Sequence, residues 1–270
     1  MQGISSRRLI FAGALLSFIM AAAPASAQCT ASSYTVALPH IAYNGGWETT
    51  ILIRNTGTSA ASVTACYYDG NGNPLSAPAN GTNATFNTVS VPAKGQAEID
   101  FADSSPSSAT IAGWVGFAGG LPTGVSAQAI FVSVFPAAPP LCIISFPDQN
   151  STSTSQAVAP IVTSTGASLS IPFDNTNGQI SGYALANTTN TPVSVTLTFY
   201  SESGAQIATY TPAQLAGFGH TEFLLNQSGL PAALADAKGV MVIGSSSVFP
   251  LGFRFSISGS SILSFTTWLP

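Results

Sequence analysis

Residues 46–75 read GWETTILIRNTGTSAASVTACYYDGNGNPL, and residues 178–207 read GQISGYALANTTNTPVSVTLTFYSESGAQI. Laid over each other without a gap, the two stretches share Gly46/Gly178, Asn55/Asn187, Thr56/Thr188, Ser62-Val63-Thr64/Ser194-Val195-Thr196, Tyr68/Tyr200 and Gly72/Gly204. Each stretch contains an apolar run, a loop that opens with Asn-Thr, an alternating run and a Gly-containing hairpin. The sequence therefore predicts one β-unit that is present twice.

The similarity continues to both ends of the unit. Matched pairs are Leu38-Pro39 with Ile171-Pro172, Gly95–Ile99 with Gly219–Phe223, Gly113–Val115 with Gly239–Met241, and Ile143–Phe146 with Ile262–Phe265. Short strands separated by turns every 8–12 residues or so are typical of an antiparallel β-sandwich with immunoglobulin-like architecture. The fold class is therefore all-β, with two tandem Ig-like β-sandwich domains related by internal duplication. We expect repeat 1 over 28–148, a polar linker over 149–156 and repeat 2 over 157–270, each repeat closing its own hydrophobic interior. The one helical signal, a short turn, lies within 229–238.

The N-terminus has the three regions of a secretory signal peptide. Arg7 and Arg8 precede an apolar run over 9–20, and Ala25-Ser26-Ala27 supplies the small residues of a cleavage site. We expect cleavage after Ala27, so that residues 1–27 are removed. The exported chain is then extracellular, at the cell surface or in the periplasm, and no transmembrane segment is expected in it.

The charge of the mature chain argues against nucleic acid as a partner. Without Arg7 and Arg8, four basic residues (Arg54, Lys94, Lys238 and Arg254) stand against ten acidic ones, a net charge of −6. Nucleic acids require clustered Lys and Arg, and these four are scattered.

Three cysteines in an oxidising compartment allow one disulfide. Cys29 and Cys142 lie near the starts of the first and last strands of repeat 1, which often adjoin in sandwiches, so we expect them to pair. A bond from Cys66 to either of them, or three unpaired thiols, remain as alternatives.

Several motifs resemble a known group of proteins. These are IPFDNTNG at 171–178, YALAN at 183–187, Gly219-His220-Thr221, LGFRF at 251–255 and the Gly45-Gly46-Trp47 opening of repeat 1. Together they resemble uncharacterised secreted bacterial proteins made of tandem Ig-like β-sandwich repeats. The resemblance covers essentially the whole mature chain and implies export and a β-sandwich fold, but no activity. The chain departs from the group at Phe131-Val132, where an Arg often follows the Phe.

Candidate metal and catalytic residues are few. Asp69, Asn71 and Asn73 have the oxygen spacing of a calcium loop, but Pro74 replaces the expected Gly, so we interpret them as a polar hairpin tip. His40 and His220 are the only histidines and have no counterpart in the other repeat. We therefore predict structural or surface roles for both. Glu98 and Glu222 recur at matched positions, where we expect the solvent-facing residues of alternating strands.

Aromatic residues provide the best candidates for ligand contact. Tyr68 and Tyr200 recur on the face opposite to the core residues Val63, Ala65 and Tyr67, and Tyr43 and Trp47 lie near the same edge of repeat 1. Such rings could stack on sugars. Cross-strand packing, or contact between the two domains, is the alternative. Trp114 is matched by Val240, which indicates a core position.

These observations predict an exported, non-enzymatic β-sandwich protein that acts as an adhesion, scaffold or binding module, without a cofactor. Its partner would be a glycan or a surface protein. The alternative is a secreted hydrolase or carbohydrate-processing protein with an unrecognised site. Catalysis would require a cleft in which His40 or His220 meets an acid and a serine.

Overall fold

The computed structural model of the chain describes residues 29–102, 108–135, 153–163, 169–258 and 261–268. The predicted signal peptide, Cys142 and the matched segment Ile143–Phe146 lie outside these ranges. The described strands are β1 (Val36–Tyr43), β2 (Trp47–Asn55), β3 (Ala61–Tyr68), β4 (Ala77–Ala79), β5 (Thr82–Ala84), β6 (Phe86–Val91), β7 (Gln96–Phe101), β8 (Ile111–Ala118), β9 (Val125–Phe135), β10 (Ser153–Pro160), β11 (Val162–Thr163), β12 (Leu169–Asp174), β13 (Gln179–Asn187), β14 (Leu197–Ser201), β15 (Gln206–Tyr210), β16 (His220–Leu224), β17 (Lys238–Ile243), β18 (Val248–Ser258) and β19 (Ser261–Trp268). The predicted helical turn is a short 3-10 helix, Ala232–Leu234.

The strands form four antiparallel sheets, as expected for an all-β chain with β-sandwich architecture. Sheet I has the order β11-β1-β8-β3-β6, and sheet II has the order β10-β9-β2-β7-β4-β5. Sheet III has the order β12-β17-β14-β15, and sheet IV has the order β16-β13-β18-β19. We call sheets I and II the first half and sheets III and IV the second half.

Strand order is alike in the two halves. In sheet I the run β1-β8-β3-β6 corresponds to β12-β17-β14-β15 in sheet III, strand for strand along the chain. In sheet II the run β10-β9-β2-β7 corresponds to β19-β18-β13-β16 in sheet IV. The extra strands β4, β5 and β11 belong to the first half.

Part of the segment that we predicted as a linker is a strand. Ser153–Gln156 open β10, which pairs with β9 from Ser153↔Phe135 to Pro160↔Gln128. The strand β11 then pairs with β1. Ala157 and Ala159 on β10 are buried in the first core, because alternate residues of a strand face the same side. The chain thus completes the first half with residues up to Thr163.

Each half has a hydrophobic core between its sheets. The first core contains Leu38, Ile51, Ile53, Tyr67, Phe101, Phe117 and Phe131, and the second contains Ile171, Phe173, Leu185, Leu197, Phe199, Met241 and Ile243. Val63, Ala65 and Tyr67 face the first core, as predicted from their alternation.

The expectation that each repeat closes its own interior is wrong for the first half. Leu251, Phe253 and Phe255 on β18 and Phe265 on β19 belong to the first core although they lie in the second half. On β18, Gly252 lies on the other face, within close reach of Ile171 and Tyr183. Sheet IV is therefore apolar on both faces, and its outer face is covered by the first half.

A third apolar cluster joins the halves, and we call it the junction cluster. It contains Tyr34, Ala37, Cys66, Tyr68, Trp114, Val162, Ala186 and Phe249. Tyr68 does lie on the face opposite to Tyr67, as predicted, but it is only 4% exposed because the second half covers it. Trp114, expected in a core, is fully buried here instead, and its indole N–H donates to the Phe218 carbonyl at 2.7 Å.

The described disulfide joins Cys29 to Cys66, with Cα atoms 5.9 Å apart. This corrects the expected pairing of Cys29 with Cys142. The reason is that the segment before β1 crosses the junction face of sheet I, where Cys66 and the ring of Tyr34 are both buried. The bond ties this segment to β3.

Candidate binding groove between the two halves

A groove of about 430 Å³ lies where β1 and β2 of the first half meet sheet IV of the second. Its apolar wall consists mainly of Trp47, Tyr183, Phe253 and Phe255. Its polar side chains are His40, Thr110, Glu222 and Gln227. Ligand sites in proteins have volumes of roughly 300–1,000 Å³ and combine apolar walls with a few polar groups. The groove fits that description.

His40 is held at one end of the groove by ring contacts. It lies on β1, within the irregularity of register between Leu38 and Ile41. The imidazole stacks on Phe131 of the first half, with ring centroids 5.9 Å apart, and meets the edge of Phe253 of the second half at 5.5 Å. Only 12% of the side chain is exposed. Its ring orientation is therefore set by both halves together.

His220 and Glu222 reach the same place from β16. They are two residues apart on a strand, so their side chains share one face. Their partners across the ladder are the small residues Ala186 and Ala184 on β13. Small cross-strand neighbours leave room for β1 to approach this face. The backbone N–H of His220 also donates to the Gly70 carbonyl at 3.1 Å, which anchors β16 to the β3–β4 connection of the first half.

The three side chains form a cluster. Nδ1 of His40 lies 3.4 Å from Nε2 of His220 and 3.5 Å from Oε2 of Glu222. The possible ligand atoms of all three lie within 4.8 Å of one another. His220 is only 7% exposed, whereas the Glu222 side chain is 55% exposed and faces the groove.

Burial keeps both imidazoles neutral. It lowers the pKa of His40 well below its ordinary value, and the nearby His220 lowers it further. Burial also lowers the pKa of His220 to about 4. The contact of His40 with Glu222 is therefore a polar contact rather than an ion pair at neutral pH. Partial burial of the Glu222 carboxyl raises its pKa from its ordinary value.

Two of the predicted ligand-binding aromatics are buried. Tyr43 is 2% exposed, and its ring stacks on Phe101 in the first core. The ring of Tyr68 stacks on Phe218, 4.9 Å away, and its hydroxyl lies 2.6 Å from that of Tyr34. The sequence left cross-strand packing and contact between the two domains as alternatives to ligand contact. Tyr68 makes the second kind of contact, because its ring packs on Phe218 of the second half. Neither ring is presented to a ligand in this structure.

The other two aromatics lie in different places. Trp47 is half-buried, lines the groove and packs 5.2 Å from Phe265. Tyr200 is half-buried in a separate shallow depression with Trp268, beside an ion pair between Lys238 and Glu202 at 3.0 Å. The structure therefore brings one of the four predicted residues, Trp47, into the groove.

The loop at Asp69, Asn71 and Asn73 is a hydrogen-bonded turn. Oδ1 of Asp69 accepts from the backbone N–H groups of Asn71 at 2.8 Å and Asn73 at 2.9 Å. The amide of Asn73 adds a bond to Oδ2 at 3.3 Å. These bonds within the loop account for its Asx residues, as the hairpin interpretation expects.

From the sequence, His220 was predicted to have a structural or surface role and Glu222 to face solvent, so their cluster with His40 was not predicted. The signal that could have joined His220 with Glu222 was their His-x-Glu spacing on a predicted strand, because residues two apart on a strand have side chains on one face. No local signal pointed to His40, which is 180 residues away from His220 in the chain.

Comparisons with protein families, curated proteins and solved structures find no match for this chain. Among the described residues, no helix has the length and apolar character needed to cross a membrane.

Proposed function

We propose that the protein is an exported, non-enzymatic binding module, built by duplication of one Ig-like β-unit, that holds a glycan in the groove between its halves. It acts outside the cytoplasm, in the extracellular space, at the cell surface or in the periplasm. The signal-peptide pattern at 1–27 and the resemblance to secreted bacterial tandem-repeat proteins support export. The matching strand orders of the two halves support duplication.

The observation that carries the proposal is the composition of the groove. The half-buried ring of Trp47 supplies a surface on which the apolar face of a sugar can stack, and Phe255 lies in the apolar wall of the same groove. Thr110 and Gln227 supply neutral hydrogen-bonding groups beside these rings, and Glu222 has the one carboxylate among the described lining residues. Rings combined with neutral polar groups suit an uncharged polyhydroxyl ligand better than a strongly charged one.

A glycan array tests the proposal. We expect the wild-type protein to be retained on a defined set of glycans and Trp47→Ala to abolish that retention. Tyr200→Ala is the matched control, because Tyr200 lies in the other depression, and it should leave retention unchanged. Circular dichroism of each variant verifies that the sheets remain folded. Absence of retention on every glycan, or retention that Trp47→Ala leaves intact, would contradict the proposal.

A hydrolase is the second candidate, and one observation favours it. His40 and Glu222 line the groove, as catalysis would require, and His220 contacts His40. No serine is among the described side chains that line it, so the Ser-His-acid arrangement is not assembled there. A screen of ester and glycoside substrates decides between the candidates. Turnover that is lost in His220→Gln would support the hydrolase.

A further inference from the structure

We propose that His40, His220 and Glu222 form a binding site for a divalent transition-metal ion of the zinc type, which bridges the two halves. His40 comes from β1 in the first half, and the other two come from β16 in the second. This inference does not depend on the proposed glycan ligand, because the ion would bind to the protein alone.

The spacing of the ligand atoms fits tetrahedral coordination. Bonds from zinc to imidazole nitrogen or carboxylate oxygen are roughly 2.0–2.2 Å long, which places neighbouring ligand atoms of a tetrahedron about 3.4 Å apart. The two distances from Nδ1 of His40 are 3.4 Å to Nε2 of His220 and 3.5 Å to Oε2 of Glu222. Two of the three separations therefore already have the length of a tetrahedral edge, and the three ligand atoms all lie within 4.8 Å of one another.

Hydrogen bonding alone accounts less well for these distances. N–H···O hydrogen bonds are typically about 2.7–3.2 Å long, so contacts of 3.4 and 3.5 Å are weak ones. Nδ1 of a neutral His40 also faces two partner atoms at once and can make a full hydrogen bond with only one of them. A shared cation would satisfy the lone pairs of all three groups.

The donor set selects the kind of ion. Two neutral imidazoles and one carboxylate match the ligands that zinc takes in sites with an open fourth position. Calcium and magnesium prefer sites made of oxygen ligands alone. The carboxylate of Glu222 offsets part of the charge of the ion, and its half-exposed side chain faces the groove.

The surroundings orient the ligands and set where the open position faces. Phe131 and Phe253 hold the ring of His40, and the bond to the Gly70 carbonyl anchors the backbone of His220. His40 and Glu222 both line the groove. The fourth position of the ion therefore faces the groove, where water or a donor atom of a ligand would occupy it.

The other repeat supplies conservative substitutions for the test. Phe173 stands at the position matched to His40, and Gln96 at the position matched to His220, so His40→Phe and His220→Gln introduce residues that the same kind of unit already carries. Glu222→Gln is isosteric and lies at a half-exposed position. Glu98→Gln, at the position matched to Glu222 in the first half, is the control.

The experiment measures metal binding by protein purified without an affinity tag from cells that express the full chain. We expect one Zn²⁺ per chain by elemental analysis and calorimetry, with no competition from excess Ca²⁺ or Mg²⁺. Co²⁺ should give the intense visible absorption of a tetrahedral site. Each of the three ligand variants should weaken Zn²⁺ binding at least about 100-fold, because loss of even an outer-sphere partner costs about 10–100-fold. Glu98→Gln should bind like the wild type.

Zn²⁺ should also raise the melting temperature of the wild type but not of the ligand variants, because a ligand that binds only the folded state stabilises it. Circular dichroism establishes that each variant is folded, and Glu222→Gln decides the test if a histidine variant is not. The proposal is overturned if the wild type fails to bind Zn²⁺, or if the folded variants bind it as tightly as the wild type.

Discussion

The second half completes the core of the first, so a cavity made in the second half should loosen the first. Leu251 on β18 is fully buried in the first core. Leu251→Ala removes three carbon groups, which at about 0.8 kcal/mol each amounts to roughly 2.4 kcal/mol of lost burial. The residual cavity raises the expected cost to about 3–5 kcal/mol. If the free energy of opening falls by about 3 kcal/mol, amides that exchange through that opening should exchange roughly 100-fold faster.

Hydrogen exchange followed by mass spectrometry measures this effect strand by strand. We expect Leu251→Ala to accelerate exchange in β2 and β9 of the first half as well as in β13 and β18. Leu197→Ala is the matched control, because Leu197 is equally buried but belongs to the second core. It should accelerate exchange in sheet III and affect β2 and β9 much less. Wild-type protection of β2 and β9 in Leu251→Ala would refute the conclusion that the two halves share a core.

Three further predictions concern the junction, the disulfide and one ion pair. Gly72 and Gly81 both have a positive φ, +83° and +74°. A Cβ added at Gly72 would lie against the Gly217 carbonyl of the second half, whereas a Cβ added at Gly81 would meet open space. Gly72→Ala should therefore lower the free energy of unfolding by about 1–3 kcal/mol more than Gly81→Ala, measured by urea denaturation, and equal effects would contradict the contact. Peptide mapping under non-reducing conditions should find Cys29 linked to Cys66. A disulfide-linked Cys29–Cys142 peptide would contradict the structure. The bond joins residues 37 positions apart, so the Cys29→Ser/Cys66→Ser variant should lose roughly 3–4 kcal/mol of the free energy of unfolding. Partial burial raises the pKa of Asp174, but hydrogen bonds from Thr176 and the Arg254 guanidinium, 2.7 Å away, outweigh it and hold the pKa below its ordinary value. The resulting stability is present above the pKa of the unfolded chain, about 4, and is lost as pH falls through the folded value. Asp174→Asn should therefore lower the free energy of unfolding by roughly 1 kcal/mol at pH 7 and by much less at pH 3. The value at pH 7 is small because the Arg254 side chain is 39% exposed. An equal loss of stability at pH 7 and pH 3 would contradict the lowered pKa of Asp174.

Prediction from sequence succeeded where the signal was local. Alternation identified Val63, Ala65 and Tyr67 as one face of β3, and the Asx-rich residues of 69–73 as a turn. It also placed Tyr68 on the opposite face. It could not tell that this face is covered, because the covering ring of Phe218 lies 150 positions later in the chain.

The candidate site was predicted only in part. Trp47 was selected from the sequence and lines the groove, whereas His40 and His220 were assigned structural or surface roles. Neither histidine alone indicated a binding site, since neither has a counterpart at the matched position of the other half. Their contact depends on the packing of β1 against sheet IV, which no pattern within either repeat encodes.

The sequence by itself determined that the chain is all-β and which residues of an alternating strand share a face. These properties follow from periodicity and turn chemistry over a few neighbouring residues, so they can be read from the local sequence. Only the tertiary structure decided how the two halves meet, that the phenylalanines of β18 complete the first core, and that Cys29 bonds to Cys66. It also decided that two histidines and a glutamate converge, because contacts between distant segments depend on how whole sheets pack.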